Sequence, residues 1–185
     1  DGTVKAVWIM GTNPAVSMPE GNRVAQALAA CPLVIVSDVM AQTDTSAFAN
    51  ILLPAQGWGE KNGTVTNSER RISRQRAFAA APGDARPDWW LLSQVARRLG
   101  FDEGFNWQHP AEIFREHAAL SGFENRGARA FDISGLAQLS NADWDALRPV
   151  QWPVNAACPQ GCARLFGNRR FFHPDGKARL RVPAT

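Results

Sequence analysis

Long apolar runs are missing from this sequence. Stretches such as Leu33 to Val36 fall far short of the roughly 20 residues a membrane-spanning helix needs, so no membrane-embedded segment is expected. A charge imbalance is missing too. The 20 basic residues nearly offset the 17 acidic ones, the net charge is only +3, and no block of like charge stands out. That excludes the electrostatic footprint of a nucleic-acid or anionic-membrane binder. Cysteine is scarce, and its number is odd. Cys31, Cys158 and Cys162 give one C-x3-C pair and no second pair, too few for a four-cysteine iron–sulfur cluster. His109, His117 and His173 are scattered, which argues against a structural zinc site. Cys31 reads as a buried thiol and the other two as loop thiols around Pro159, with a disulfide between them restricted to an oxidising compartment. Asp1 to Lys5 show no basic region followed by an apolar one and no initiating Met, and read as a cut inside a longer protein.

Chemistry-bearing motifs are also sparse. The first strand is followed by neither G-x-G-x-x-G nor a glycine-lysine phosphate loop. No serine sits in a nucleophile elbow, no histidine accompanies a candidate serine or cysteine in a recognisable motif, and no pair of carboxylates stands out. No catalytic residue and no metal ligand is expected in this chain.

What is present is a globular pattern. With 185 residues, 45% of them hydrophobic, the chain can bury a sizeable core. Val4 to Met10 reads as a buried strand stopped by Gly11-Thr12-Asn13-Pro14. Val24, Ala27 and Leu28 recur at helical spacing, and Leu33 to Val36 is a second strand ending at Ser37-Asp38. Thr43 to Asn50 reads as a capped helix before a third strand, Ile51 to Leu53, closed by Pro54. Strands of this kind separated by helices imply a parallel sheet with helices on both faces, an α/β fold of Rossmann-like dinucleotide-binding topology. Thr64 to Arg76 reads as an irregular loop with short extended pieces. Helices are expected from Pro87 to Leu99, from Pro110 to Leu120 and from Asn141 to Leu147. An α/β domain over residues 1–147 and a C-terminal extension over 148–185, with a strand-like Ala163 to Phe166 and a turn at Pro174-Asp175-Gly176, complete the organisation.

In an open parallel sheet, ligands collect beyond the carboxyl ends of the strands. Three polar loops should meet there: Gly11 to Pro14, Ser37-Asp38, and Pro54 to Gly63. Asn13 can donate and accept, Asp38 can take a ribose hydroxyl or a purine N–H pair, and Lys61 can neutralise a phosphate. On spacing alone, Asn13 is equally a turn former, Asp38 a cap, Lys61 with Glu60 a solvated pair, and Asp88 a first-turn acid favoured by the helix dipole. Arg70, Arg71, Arg74 and Arg76 either line an anion site or form a solvated face.

From Val7-Trp8-Ile9-Met10-Gly11-Thr12-Asn13-Pro14 onward the sequence resembles the molybdopterin guanine dinucleotide oxidoreductases, the dimethyl sulfoxide reductase family. Collinear matches follow at Val34 to Val39, Ile51-Leu52-Leu53-Pro54-Ala55, the segment Gly59 to Arg71 with its GE-x-x-GT-x-TN-x-ERR pattern, and Ala85-Arg86-Pro87-Asp88-Trp89. Phe131 to Leu136 and Phe171 to Leu180 resemble the assimilatory nitrate reductase branch, with formate dehydrogenases expected to match that second half poorly. Asn50 stands where the family usually has aspartate, and Asp44 where glutamate is common.

The resemblance implies the second of two α/β domains of a cytoplasmic nitrate-to-nitrite reductase, each domain taking one arm of a molybdenum bis(molybdopterin guanine dinucleotide). It also implies a [4Fe-4S] cluster and a molybdenum-ligating cysteine upstream of this segment, and as partners the remaining domains of the parent and an electron donor protein or reductase subunit. Carried over by motif, Asn13, Ser37, Asp38, Lys61 and Asp88 resemble cofactor-contacting positions, Asp38 and Asp88 towards the nucleoside and Asn13 and Lys61 towards the diphosphate. The rival expectations are a formate dehydrogenase-like molybdoenzyme and a non-catalytic α/β interaction module.

Overall fold

The computed structural model describes residues 2–182, which divide into two compact units interleaved along the chain. The first is built from Asp1–Lys61 and Arg76–Asn106, the second from Asn62–Gln75 and Trp107–Thr185.

In the first unit, β1 (Ala6–Met10), β2 (Leu33–Asp38) and β3 (Ile51–Pro54) form a parallel sheet in the order β1-β2-β3. Helix α1 (Pro14–Ser17) is a single turn, and α2 (Gly21–Ala30) carries the chain from β1 back to β2. Val24 and Leu28, one helical turn apart, put the apolar stripe of α2 against Ile9, Val34 and Val36. Val34, Val36 and Ser37 are fully buried, whereas Ile51 and Leu52 of β3 are 45% and 41% exposed. Burial from both sides, expected for all three strands, therefore holds at the central strand and not at β3.

The helix expected over Thr43 to Asn50 is one 3-10 turn, Ser46–Phe48. Short hydroxyl side chains explain the shortfall: Thr43 N–H donates to Ser46 Oγ at 2.7 Å and Ser46 N–H to Thr43 Oγ1 at 3.0 Å, offering the backbone a local alternative to a helix. Asn50 Oδ1 accepts from Val34 N–H at 2.7 Å, so the residue that departs from the family pattern ties the start of β3 to β2. Helix α3 (Asp88–Arg98) matches its sequence signals, with Pro87 before it, Asp88 in its first turn, Arg97 and Arg98 in its last, and Gly100 beyond at φ 90°.

The second unit holds an antiparallel sheet, β4 (Gly63–Thr66), β5 (Arg71–Gln75) and β6 (Val150–Gln151), with helices α4 (Pro110–Gly122) and α5 (Asn141–Asp145). Its core contains Ile72, Ala111, Phe114, Ala118, Ile133, Leu136, Trp144 and Val154. The spacing of Ala111, Phe114 and Ala118 gives α4 its buried face, and His109 Nδ1 caps it by accepting from Ala111 N–H at 3.1 Å.

Thr64 to Arg76 thus contains a hairpin and not an irregular loop. The polar/apolar alternation is itself the strand period. Asn67 builds the connection: its Oδ1 accepts from Glu69 N–H at 3.1 Å and Arg71 N–H at 2.9 Å, and Arg70 follows at φ 70°. The side chain of Arg70 donates to the carbonyls of Trp152, Cys162 and Ala163. Ala163 to Phe166 is a bend and turn, not the strand expected, with Phe166 at φ 57°. The side chain of Arg74, only 2% exposed, lies over the Trp144 ring at 3.5 Å and donates to the carbonyls of Gly63 and Gln75 and to Asp145. Both arginines are occupied inside the unit, so for them neither the anion site nor the solvated face holds.

Asp132 organises a further junction by accepting from Ser134 N–H and Oγ–H at 3.0 and 2.7 Å and from Asn155 Nδ2 at 3.0 Å. Partial burial raises its pKa, but the Ser134 and Asn155 hydrogen bonds and nearby Arg129 outweigh this and leave the carboxyl below the usual aspartate value.

Candidate functional site

Each strand of the parallel sheet delivers one wall of a cleft in the first unit. Beyond β1, Gly11 turns the chain at φ 60° and donates its N–H to Ser37 O at 3.1 Å. Asn13 then heads α1, its carbonyl accepting from Val16 and Ser17 N–H. Its side-chain Oδ1 accepts from Thr45 N–H at 3.2 Å and Thr45 Oγ1–H at 2.6 Å.

At the end of β2, Ser37 Oγ accepts from the Trp8 indole N–H at 2.8 Å. That bond and complete burial occupy the Ser37 side chain within the sheet. Asp38 is half-buried; its Oδ1 accepts from Met40 N–H at 2.9 Å and its carbonyl from Ala55 N–H at 3.0 Å.

Beyond β3, Glu60 closes the turn Trp58–Glu60 by accepting Gly57 N–H at 2.8 Å, which leads the chain to Lys61. The stretch before α3 adds to the same edge: Ala55 bridges Arg86 in parallel, Arg86 N–H donates to Pro54 O, and Gln56 N–H to Arg86 O. This brings Asp88 to Lys61, Nζ to Oδ2 at 3.2 Å, in an ion pair whose side chains are 39% and 29% exposed respectively.

The cleft encloses about 440 Å³, and Asn13, Ser37, Asp38, Lys61 and Asp88 all line it. Strand-end reasoning placed the loops of Thr12 and Gln56 here without singling out these residues, and did not place Thr43; all three line the cleft as well. Gln56, two residues past β3, was within reach of the same rule; Thr43 was lost by assigning it to a helix. A larger depression of about 560 Å³ in the second unit lies among Phe166, Arg170, Phe171 and His173. It gathers none of the five predicted residues, so convergence of polar groups, not volume, marks the first cleft as the candidate.

Elsewhere, Cys31, Cys158 and Cys162 are free thiols, all half-buried. Desolvation, then the neighbouring Cys162 thiol, pushes the Cys158 thiol above the ordinary cysteine value. Among the described residues, no helix is long and apolar enough to cross a membrane.

Comparison with known proteins adds to this geometry. The chain is 61% identical over 184 residues to a nitrate reductase of Klebsiella oxytoca, aligning over 100% of this chain and 21% of the relative. It is 38% identical over 183 residues to the F420-dependent formate dehydrogenase 1 subunit alpha of Methanococcus maripaludis, over 98% of this chain and 27% of that one. That alignment runs through both halves of the chain, whereas a putative formate dehydrogenase of Bacillus subtilis, 40% identical over 123 residues, aligns over 65% of this chain and 12% of its own. Acetylene hydratase from Pelobacter acetylenicus shares the fold, with a TM-score of 0.62 at 17% identity over 94% of this chain and 21% of that one. The chain spans between a fifth and about a quarter of the length of the proteins that align over nearly all of it. The family model for molybdopterin oxidoreductases matches residues 1–98, from before β1 to the last residue of α3 and so through every wall of the cleft, and the chain belongs to that family.

Proposed function

We propose that the cleft holds the nucleotide end of one guanine dinucleotide arm of a molybdenum bis(molybdopterin) cofactor, and that the complete protein is an assimilatory nitrate reductase reducing nitrate to nitrite. The observation that carries this reading is the meeting of Asn13, Asp38, Lys61 and Asp88, drawn from four separate segments, at one edge of a parallel sheet. The parallel strand order β1-β2-β3 supports the reading, because ligands of open parallel sheets collect beyond the carboxyl ends of the strands, where these residues lie.

The donor set suits the group. Asp38 keeps one carboxylate oxygen clear of the Met40 bond for hydroxyl or guanine N–H donors, Asp88 offers a second carboxylate, and Lys61 brings a cation. The volume lies within the range of small-ligand clefts. Ser37 acts through its position at the end of β2, since its hydroxyl is engaged by Trp8.

When bound, the metal and pterin supply the redox chemistry; this chain's residues bind and orient the cofactor's nucleotide end. The remaining domains of the parent supply the other arm, the molybdenum-ligating cysteine and a [4Fe-4S] cluster, and an electron donor protein or reductase subunit delivers electrons in the cytoplasm. The 38% identity to a formate dehydrogenase subunit supports a second reading, a formate dehydrogenase-like molybdoenzyme. The 61% identity to a nitrate reductase favours the first.

The test uses the complete protein. Acid treatment is expected to release guanine nucleotide from the purified enzyme, and reduced-dye assays to show turnover with nitrate and none with formate. Turnover with formate alone would move the assignment to the second reading, and an active enzyme without guanine nucleotide would remove the dinucleotide.

A further inference from the structure

Of the residues around the cleft, Thr45 is fully buried, and its backbone N–H and hydroxyl together make three hydrogen bonds to the Asn13–Ala15 segment. Its backbone N–H and its hydroxyl both donate to Asn13 Oδ1, at 3.2 and 2.6 Å, while the hydroxyl oxygen accepts from Ala15 N–H at 3.1 Å. The reciprocal Thr43 and Ser46 bonds hold the segment that carries it.

These contacts settle which way the Asn13 amide points. A backbone N–H can only donate, so the Asn13 atom facing Thr45 is the oxygen. With two donors on that oxygen, the polar atom left for the cleft is Nδ2, which has no protein partner among the described residues and can only donate. Turning the amide over would set Nδ2 against the Thr45 N–H and leave that buried group unpaired.

We infer that Thr45 is a positioning residue that fixes Asn13 as a donor-only contact, so that the ligand atom meeting Asn13 is a hydrogen-bond acceptor, an oxygen of the diphosphate or ribose and not an N–H or a hydroxyl proton. This rests on the nucleotide reading of the cleft and deepens it by assigning the polarity of one contact. Asp38, with a carboxylate oxygen left over, has the opposite polarity, so the two sides of the cleft recognise different parts of the ligand.

Asn13→Asp separates this from a merely structural role. The aspartate keeps an oxygen for both Thr45 donors but turns the cleft-facing atom from donor to anionic acceptor. In the complete protein, guanine nucleotide released per molecule is expected to fall at least tenfold in Asn13→Asp with Tm close to wild type. It should fall several-fold in Thr45→Val, which lacks the hydroxyl, and stay within about twofold in Thr45→Ser, which keeps it. Wild-type nucleotide content in Asn13→Asp would overturn the assigned polarity, and wild-type content in Thr45→Val would overturn the positioning role. Should Thr45→Val fail to fold, Asn13→Asp still decides the polarity, and loss of nucleotide in a folded Thr45→Ser would still overturn the positioning role. A wild-type protein without guanine nucleotide sinks the underlying reading instead, so the two failures are distinguishable.

Discussion

Replacing Asp38 with asparagine is expected to lower the guanine nucleotide content of the complete protein by roughly 10- to 100-fold while leaving the fold intact. Asp38 closes the central strand, where its Oδ1 holds Met40 N–H and its carbonyl holds Ala55 N–H. Asparagine reproduces both of those bonds. What it removes is the second carboxylate oxygen and its charge, the acceptor available to a ligand donor. Hydrogen bonds to charged groups contribute about 1.5–3 kcal/mol, and each 1.4 kcal/mol is about tenfold in affinity, which sets the range. Asp88→Ala should act in the same direction, lowering cofactor occupancy and activity together, since it removes a carboxylate from the cleft and leaves Lys61 without its partner. Full occupancy with full activity in either variant would take that residue out of the site.

Trp144→Ala is expected to destabilise the second unit by about 3–5 kcal/mol, a large part of the roughly 5–15 kcal/mol that holds a typical domain together. Trp144 is 1% exposed at the centre of that unit's core, and its ring carries the buried Arg74 guanidinium at 3.5 Å. Truncation opens a cavity and removes the aromatic face beneath a cation that has little water to turn to. Trp144→Phe should cost less, because the indole N–H has no hydrogen-bond partner to lose and a ring remains beneath Arg74. Denaturant unfolding followed on the complete protein gives both values. A loss below about 1 kcal/mol for the alanine variant would show that Arg74 and the core rearrange at little cost.

The cleft was legible in the sequence because it rests on a rule of chain ends. Strands at Val4 to Met10, Leu33 to Val36 and Ile51 to Leu53 were visible as apolar runs, and the polar residues that follow them have to share an edge if the strands run parallel. Asn13, Asp38 and Lys61 needed nothing more to be placed together; Asp88 was brought in by motif, and the structure shows why it belongs, through the Ala55–Arg86 bridge that pins the start of α3 beside β3.

Features set by contacts distant in the chain were not legible. Nothing local announces that the Ser37 hydroxyl faces Trp8, or that Thr45 reaches back 32 residues to Asn13. The arginines of the hairpin show the same limit. Arginine at alternate positions of a strand reads as a solvated face, yet Arg74 is sealed over Trp144 and Arg70 gathers three carbonyls from a segment more than 80 residues later. The hairpin is a different case: the alternation from Thr64 to Arg76 carries the strand period, but the pairing of its two strands depends on the Asn67 turn that brings them together.

The most direct test of the account is hydrogen exchange on the complete protein, comparing cofactor-loaded material with protein made without the cofactor. Backbone segments around Gly11 to Asn13, Asp38 to Thr43, Ala55 to Lys61 and the first turn of α3 should exchange more slowly in the loaded form, as one group, because one ligand bridges them. Equal exchange in all four segments, with protection confined to other parts of the protein, would contradict the cleft as the place where the nucleotide is held.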